Sequence, residues 1–248
     1  MENFRKKLGL IRSIFIYYLK PFNGIRLRRL YSHFIQKGDL CFDLGAHLGN
    51  RSNAWLKLGA NVVAVEPQPI CIDYLQKKFR NKKDFILVEK AVGATKGKSI
   101  LKVSKLYPTI STLSEEWQFS YDKPADTLDY WDEEIDVDVT TLDTLIDEYG
   151  IPKFCKIDVE DFEWEVLRGL SHKIPALSFE FFPAKTQNAI LCLNKLKELG
   201  EYEFNVSYEE NLTFVYKKWL DYQSIITFMK CYDKEISGDI YARIRQNN

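Results

Sequence analysis

The stretch CFDLGAHLGN, Cys41 to Asn50, passes from an apolar run into a turn with two glycines, and a helix-like run follows it. Strand, glycine loop and helix in that order open a strand–helix–strand unit. The same alternation continues outward. LCFDLGA (40–46), NVVAVEP (61–67), FILVEKAV (85–92), FCKIDVE (154–160) and ALSFEFF (176–182) read as strands, most of them buried on both faces. Helical runs stand between them at 52–58, 69–80, 142–149, 162–170 and 187–199. YEFNVSY (202–208) and LTFVYKK (212–218), separated by EEN, predict an antiparallel hairpin. The expected fold is α/β: a doubly wound, mostly parallel seven-stranded sheet with an antiparallel C-terminal hairpin.

Composition limits what this sheet can serve. A chain of 248 residues, 46% of them hydrophobic, supports one domain with a sizeable core. The five cysteines are odd in number, widely spaced and contain no CxxC pair, which argues against a disulfide framework or a zinc knuckle and for a reducing cytoplasm. The apolar run IFIYYL (14–19) is far shorter than the ~20 residues of a spanning helix. It also lacks the small-residue cleavage site of a signal peptide.

Charge is balanced overall, with 35 basic and 35 acidic residues, but it is unevenly placed. Residues 1–37 carry nine Lys and Arg against Glu2, whereas 105–139 carry ten acids against two lysines. In the basic block Phe4, Leu8, Ile11, Phe15 and Tyr18 recur at helical spacing beside Arg5, Lys7 and Arg12. We expect a helical arm (1–37), either packed as a cap on the domain (38–248) or resting on anionic lipid at the inner face of the membrane. The segment 98–139 begins with a strand-like SILKVS and interleaves Tyr107, Trp117, Phe119, Tyr121, Tyr130 and Trp131 with acids. It reads as a lid-like insertion whose aromatics either stack on a sugar or pack on the sheet, and its acidity argues against a nucleic-acid partner.

In doubly wound sheets, ligands sit beyond the carboxyl ends of the strands where strand order reverses. Asp43, Gly45 and Gly49 lie at such an end, without the third glycine that cradles a pyrophosphate. Glu66 ends the second strand, 23 residues after Asp43, where an acid accepts from ribose hydroxyls. A ribose, a cation for Asp43 and no diphosphate describe S-adenosylmethionine, with room for adenine at Ala91–Gly93. The expected cofactor set is Asp43, Gly45, Ala46, Gly49, Glu66, Ala91 and Val92.

Together GDLCFDLGAHLGN, VVAVEPQP, EKAVG, TTLDTLIDEYG and KIDVEDFEWEVLRGL, spanning about 38–180, resemble the FkbM-family methyltransferases in order and spacing. The resemblance implies a class I, Rossmann-like fold and S-adenosylmethionine-dependent O-methylation of sugar or polyketide-type hydroxyls. One position departs: the family usually has glycine after KIDVE, and here Asp161 stands there.

Methyl transfer to a hydroxyl needs orientation and removal of one proton. Asp158 and Glu160 at a strand end, with Glu180 on the adjacent strand, form the expected catalytic set. Glu163 reads as a helix cap, His33 as structural, His47 as a shaper of the cofactor pocket and His172 as a surface residue or a base. A divalent metal on the acids is an alternative without a ligand-dense loop behind it, so no metal ligands are assigned. Two other readings compete: a non-catalytic S-adenosylmethionine-binding protein of the same fold, and a nicotinamide-dependent oxidoreductase.

Overall fold

The computed structural model describes residues 22–105, 111–114 and 131–245. A seven-stranded sheet forms its centre, from β1 (Leu40–Leu44), β2 (Asn61–Val65), β3 (Phe85–Val88), β7 (Phe154–Ile157), β8 (Ala176–Phe181), β9 (Tyr202–Tyr208) and β10 (Gly238–Ile244). Strand order is β3-β2-β1-β7-β8-β10-β9. The first five are parallel, and β10 runs antiparallel between β8 and β9. Chain order reverses between β1 and β7, so the carboxyl ends of these two strands frame the crevice.

Alternation along the strands sends side chains to two cores. Phe42, Leu44, Val63, Cys155 and Ile157 meet α4 (Leu142–Tyr149), α5 (Glu163–Arg168), α6 (Thr186–Leu199) and α7 (Tyr222–Lys230) on one face. On the other, Cys41, Val62, Phe154 and Tyr241 meet α1 (Asn23–Tyr31), α2 (Asn50–Leu58) and α3 (Pro69–Phe79). Tyr31 of α1 lies edge-on to Trp55 and Phe154, with centroids 5.2 and 5.4 Å away. The described end of the basic arm is therefore packed on the domain. Its apolar stripe from Phe4 to Tyr18 lies outside the described residues. No helix among the described residues is long and apolar enough to cross a membrane.

The antiparallel C-terminal pair is present, but its second strand is β10 and not 212–218. Asn205 explains the difference: its side chain accepts from Tyr216 N (3.1 Å) and donates to Tyr216 O (2.8 Å). The 212–218 segment thus follows the outer edge of β9 with a backbone bond from Val215 N to Val206 O (2.8 Å) but forms no strand, and it shields that edge. The expected strand 85–92 also splits. Its last two residues form β4 (Ala91–Val92), which belongs to a second sheet of order β4-β6-β5 with β5 (Gly97–Val103) and β6 (Glu133–Thr140). The ends of the 98–139 insertion are thus an antiparallel ribbon rather than loop. Lys98 faces Asp138 and Lys102 faces Glu134 across it, so part of the acidic block is matched by cross-strand lysines.

Candidate active site

The turn after β1 is built by close packing. A Cβ on Gly45 (φ +74°) would stand 1.8 Å from the Asp158 carbonyl oxygen, so only glycine lets this loop lie against the end of β7. Gly49 (φ +67°) serves packing of another kind. A Cβ there would meet Phe79 and Leu75 of α3 at 2.7 and 2.8 Å, and the residue does not line the cleft. Asp43 also departs from its expected place. It is buried beneath the turn, where it accepts from Ser52 N (3.0 Å) and Ser52 Oγ, and burial pushes its pKa up. It therefore anchors the start of α2, and the cofactor's ammonium group needs another partner.

Above the turn lies a cleft of about 790 Å3, lined by Gly45, Ala46, Glu66, Ala91 and Val92 as the sequence suggested. Glu66 Oε2 accepts from His47 N (2.7 Å) and Oε1 from Gln68 N (2.9 Å). Burial raises its pKa to about 7 against the pull of these two bonds. A carboxylate offers about four lone-pair sites, so two remain for a pair of hydroxyls. Beside it, Ala91 and Val92 with Leu101, Leu113 and Phe162 supply apolar walls. Residues 111–114 span this end: Ser111 Oγ donates to Gln68 Oε1 (3.1 Å) and Thr112 Oγ1 to Glu160 O.

Charges dominate the other end. Lys156 is buried, 1% exposed, and its ammonium lies 3.0 Å from Asp158 and 3.2 Å from Asp239. Burial alone would lower its pKa, but the two carboxylates outweigh that and hold it well above the usual lysine value. For Asp158, burial pulls upward, yet Lys156 and Arg51 prevail and hold it down at about 2. Glu160 and Glu180 go the other way. Burial, then the Asp158 charge, pushes both well above the ordinary glutamate range. One oxygen from each of Asp158, Glu160 and Glu180 lies within 4.8 Å of the others, so the expected catalytic set is brought together. Asp158 and Glu160 line the main cleft, whereas Glu180 lines a smaller neighbouring cavity of about 210 Å3 with Glu163, Asn188 and Cys192.

Asp161 occupies its unusual position at φ 71°, the left-handed conformation that glycine adopts freely. Its carboxylate is satisfied by Lys185 Nζ, Asn188 Nδ2 (3.1 Å) and Ser114 Oγ (2.9 Å). The turn is thereby kept without glycine.

The sequence matches the methyltransferase FkbM domain over residues 43–235. The chain belongs to the FkbM methyltransferase family. No curated protein matches it. Similar solved structures include a precorrin methyltransferase from Geobacter metallireducens, with TM-score 0.45, 11% identity and coverage of 90% of this chain and 87% of that one. Fibrillarin from Aeropyrum pernix with natively bound S-adenosyl-L-methionine gives 0.45 at 10% identity, covering 84% and 68%. A TehB-like SAM-dependent methyltransferase from Corynebacterium glutamicum gives 0.43 at 12%, covering 89% and 88%.

The donor set of this methyltransferase fits S-adenosylmethionine: hydroxyl acceptors on Glu66, an apolar slot beside it, and a carboxylate-rich end for a sulfonium cation. Of its three histidines, His47 lines the cleft. His47 contributes a backbone N–H, and burial lowers its ring pKa to about 4. His172 pairs with Asp143 (3.1 Å) outside the cleft, and His33 packs near Phe214. Glu163 accepts from Val159 N (3.0 Å) and so braces the loop that carries Glu160. Sequence reasoning gives no part to Lys156, Gln68, Asn50 or Arg51, and it places 111–114 only within the lid-like insertion. A cation in the first turn of a helix opposes the helix dipole, and Arg51 carried that signal.

Proposed function

We propose that this methyltransferase transfers a methyl group from S-adenosylmethionine to a hydroxyl of a sugar, glycan or related small molecule. The observation that carries the reading is the position of Glu160, a half-buried carboxyl in the cleft with its pKa pushed up by burial and by Asp158. A carboxylate of raised pKa is a stronger proton acceptor, and a hydroxyl nucleophile has one proton to lose. Bound S-adenosylmethionine supplies the methyl group on a good leaving group. A positive charge beside Glu160 and Glu180 lowers both pKa values and prepares one of them to accept the acceptor's proton. Lys156 fixes Asp158 as an anion, so that residue orients and Glu160 takes the proton.

Aromatic residues of the 98–139 insertion are suited to the faces of a sugar, and its exposed acids disfavour nucleic acid. The Lys and Arg residues of the basic arm are suited to an anionic membrane surface. Incubation with S-adenosylmethionine and a panel of glycans, read by mass spectrometry and mapped by fragmentation, tests the reading. Methyl groups on sugar oxygens are expected. Methylation confined to nitrogen or carbon acceptors would refute it.

A further inference from the structure

Beyond Gly45 the cleft is lined by Asn50 and Arg51, the first two residues of α2. They are 9% and 8% exposed. Asn50 Oδ1 accepts from Arg51 N (2.8 Å), while Asn50 Nδ2 is buried without a hydrogen-bond partner. Arg51 Nη2 donates to Glu210 Oε1 at 2.9 Å, and Arg51 Nε is likewise buried and unpartnered. A buried donor left without an acceptor is costly, and a guanidinium at a helix N-terminus adds an unfavourable interaction with the helix dipole. Donors kept under those penalties at the wall of a ligand cleft call for an anionic acceptor.

Their place in the sheet says which anion. Glu66, just past β2, and Ala91–Val92 line the cleft toward the β3 edge, the side given above to the nucleoside. Arg51 reaches the other way, to Glu210 just after β9, and feels the charges of Asp158 and Asp239. The amino-acid tail of S-adenosylmethionine leaves the sulfur on the side away from the ribose, so it ends where Arg51 stands. We propose that Asn50 and Arg51 bind the α-carboxylate of that tail, with the ammonium group turned to Asp158. A forked guanidinium suits a carboxylate, and Asp158 takes over the ammonium contact that buried Asp43 cannot make.

This inference rests on the cofactor reading, and its test separates the two. Calorimetric titration compares S-adenosylhomocysteine with 5′-methylthioadenosine, which keeps the nucleoside and thioether but lacks the tail. Arg51→Gln is expected to weaken S-adenosylhomocysteine by about 10- to 100-fold, the range of charged hydrogen bonds, and to change 5′-methylthioadenosine by less than about 2-fold. Equal losses for both ligands, or none, would overturn the assignment of Arg51 while leaving the cofactor reading intact. Wild-type protein that binds neither ligand would overturn the cofactor reading and this inference with it. The double variant Arg51→Gln/Glu210→Gln removes both members of the buried pair, so an orphaned Glu210 does not obscure the result. It should show the same selective loss.

Discussion

Glu66 and Asp158 are both carboxylates at strand ends of one cleft, yet Glu66 is held by two backbone N–H groups and Asp158 by the Lys156 ammonium. At the Glu66 end the neighbours are amides and apolar side chains, and binding depends on shape and hydrogen bonds. Around Asp158 stand Lys156, Arg51, Glu160 and Glu180, a set whose protonation answers to the charge of what enters. The difference teaches that one end of the cleft is set by hydrogen bonds and shape and the other by charge.

The comparison breaks most visibly if the charged end is disarmed. Glu160→Gln should lower turnover by roughly 10² or more, the usual scale of a general base, with cofactor affinity nearly intact. Steady-state rates beside equilibrium titration measure both, and wild-type turnover in this variant would move proton transfer to Glu180. At the hydrogen-bonding end the balance reverses. Glu66→Ala should weaken S-adenosylmethionine by ~1.5–3 kcal/mol, the range for hydrogen bonds to a charged group, in a protein that remains folded by circular dichroism. Unchanged affinity there would remove Glu66 from the site.

These two residues also show what sequence reveals. Both sit at the ends of apolar runs, so strand periodicity points to them, and the same reasoning points to Gly45, Ala46, Ala91 and Val92, which line the cleft, and to a mostly parallel sheet. Asp43 follows from the same rule, but it is buried outside the cleft lining. Its pleat position turns it under α2 toward Ser52, a contact nine residues away that periodicity does not give. The hairpin partner failed because 212–218 alternates like a strand, while Asn205 takes the backbone groups of Tyr216. β5 and β6 pair across a long insertion, and Arg51 meets Glu210 from the far edge of the sheet. Such contacts depend on topology, and spacing along the chain carries little of it.

A smaller effect comes from Glu163, which braces the Glu160 loop while buried. Burial raises its pKa from 4.5 to about 8, so the folded chain keeps a proton that the unfolded chain releases. Its contribution to stability is fully present below the unfolded value near 4.5 and is lost as pH rises toward 8. Melting temperatures should therefore decline over that interval, and Glu163→Gln should flatten the decline. An unchanged slope in the variant would show that Glu163 is not the titrating group.

The contrast between the two ends is tested most directly by titrating S-adenosylmethionine and S-adenosylhomocysteine side by side across pH. The two ligands differ at the sulfur, cationic in the first and neutral in the second. Burial and the Asp158 charge raise the pKa values of Glu160 and Glu180 and a cation beside them lowers both, so S-adenosylmethionine binding should expel protons and strengthen relative to S-adenosylhomocysteine as pH rises. Parallel pH profiles with equal proton release would contradict the account, because the charged end would then be indifferent to the charge it is built to meet.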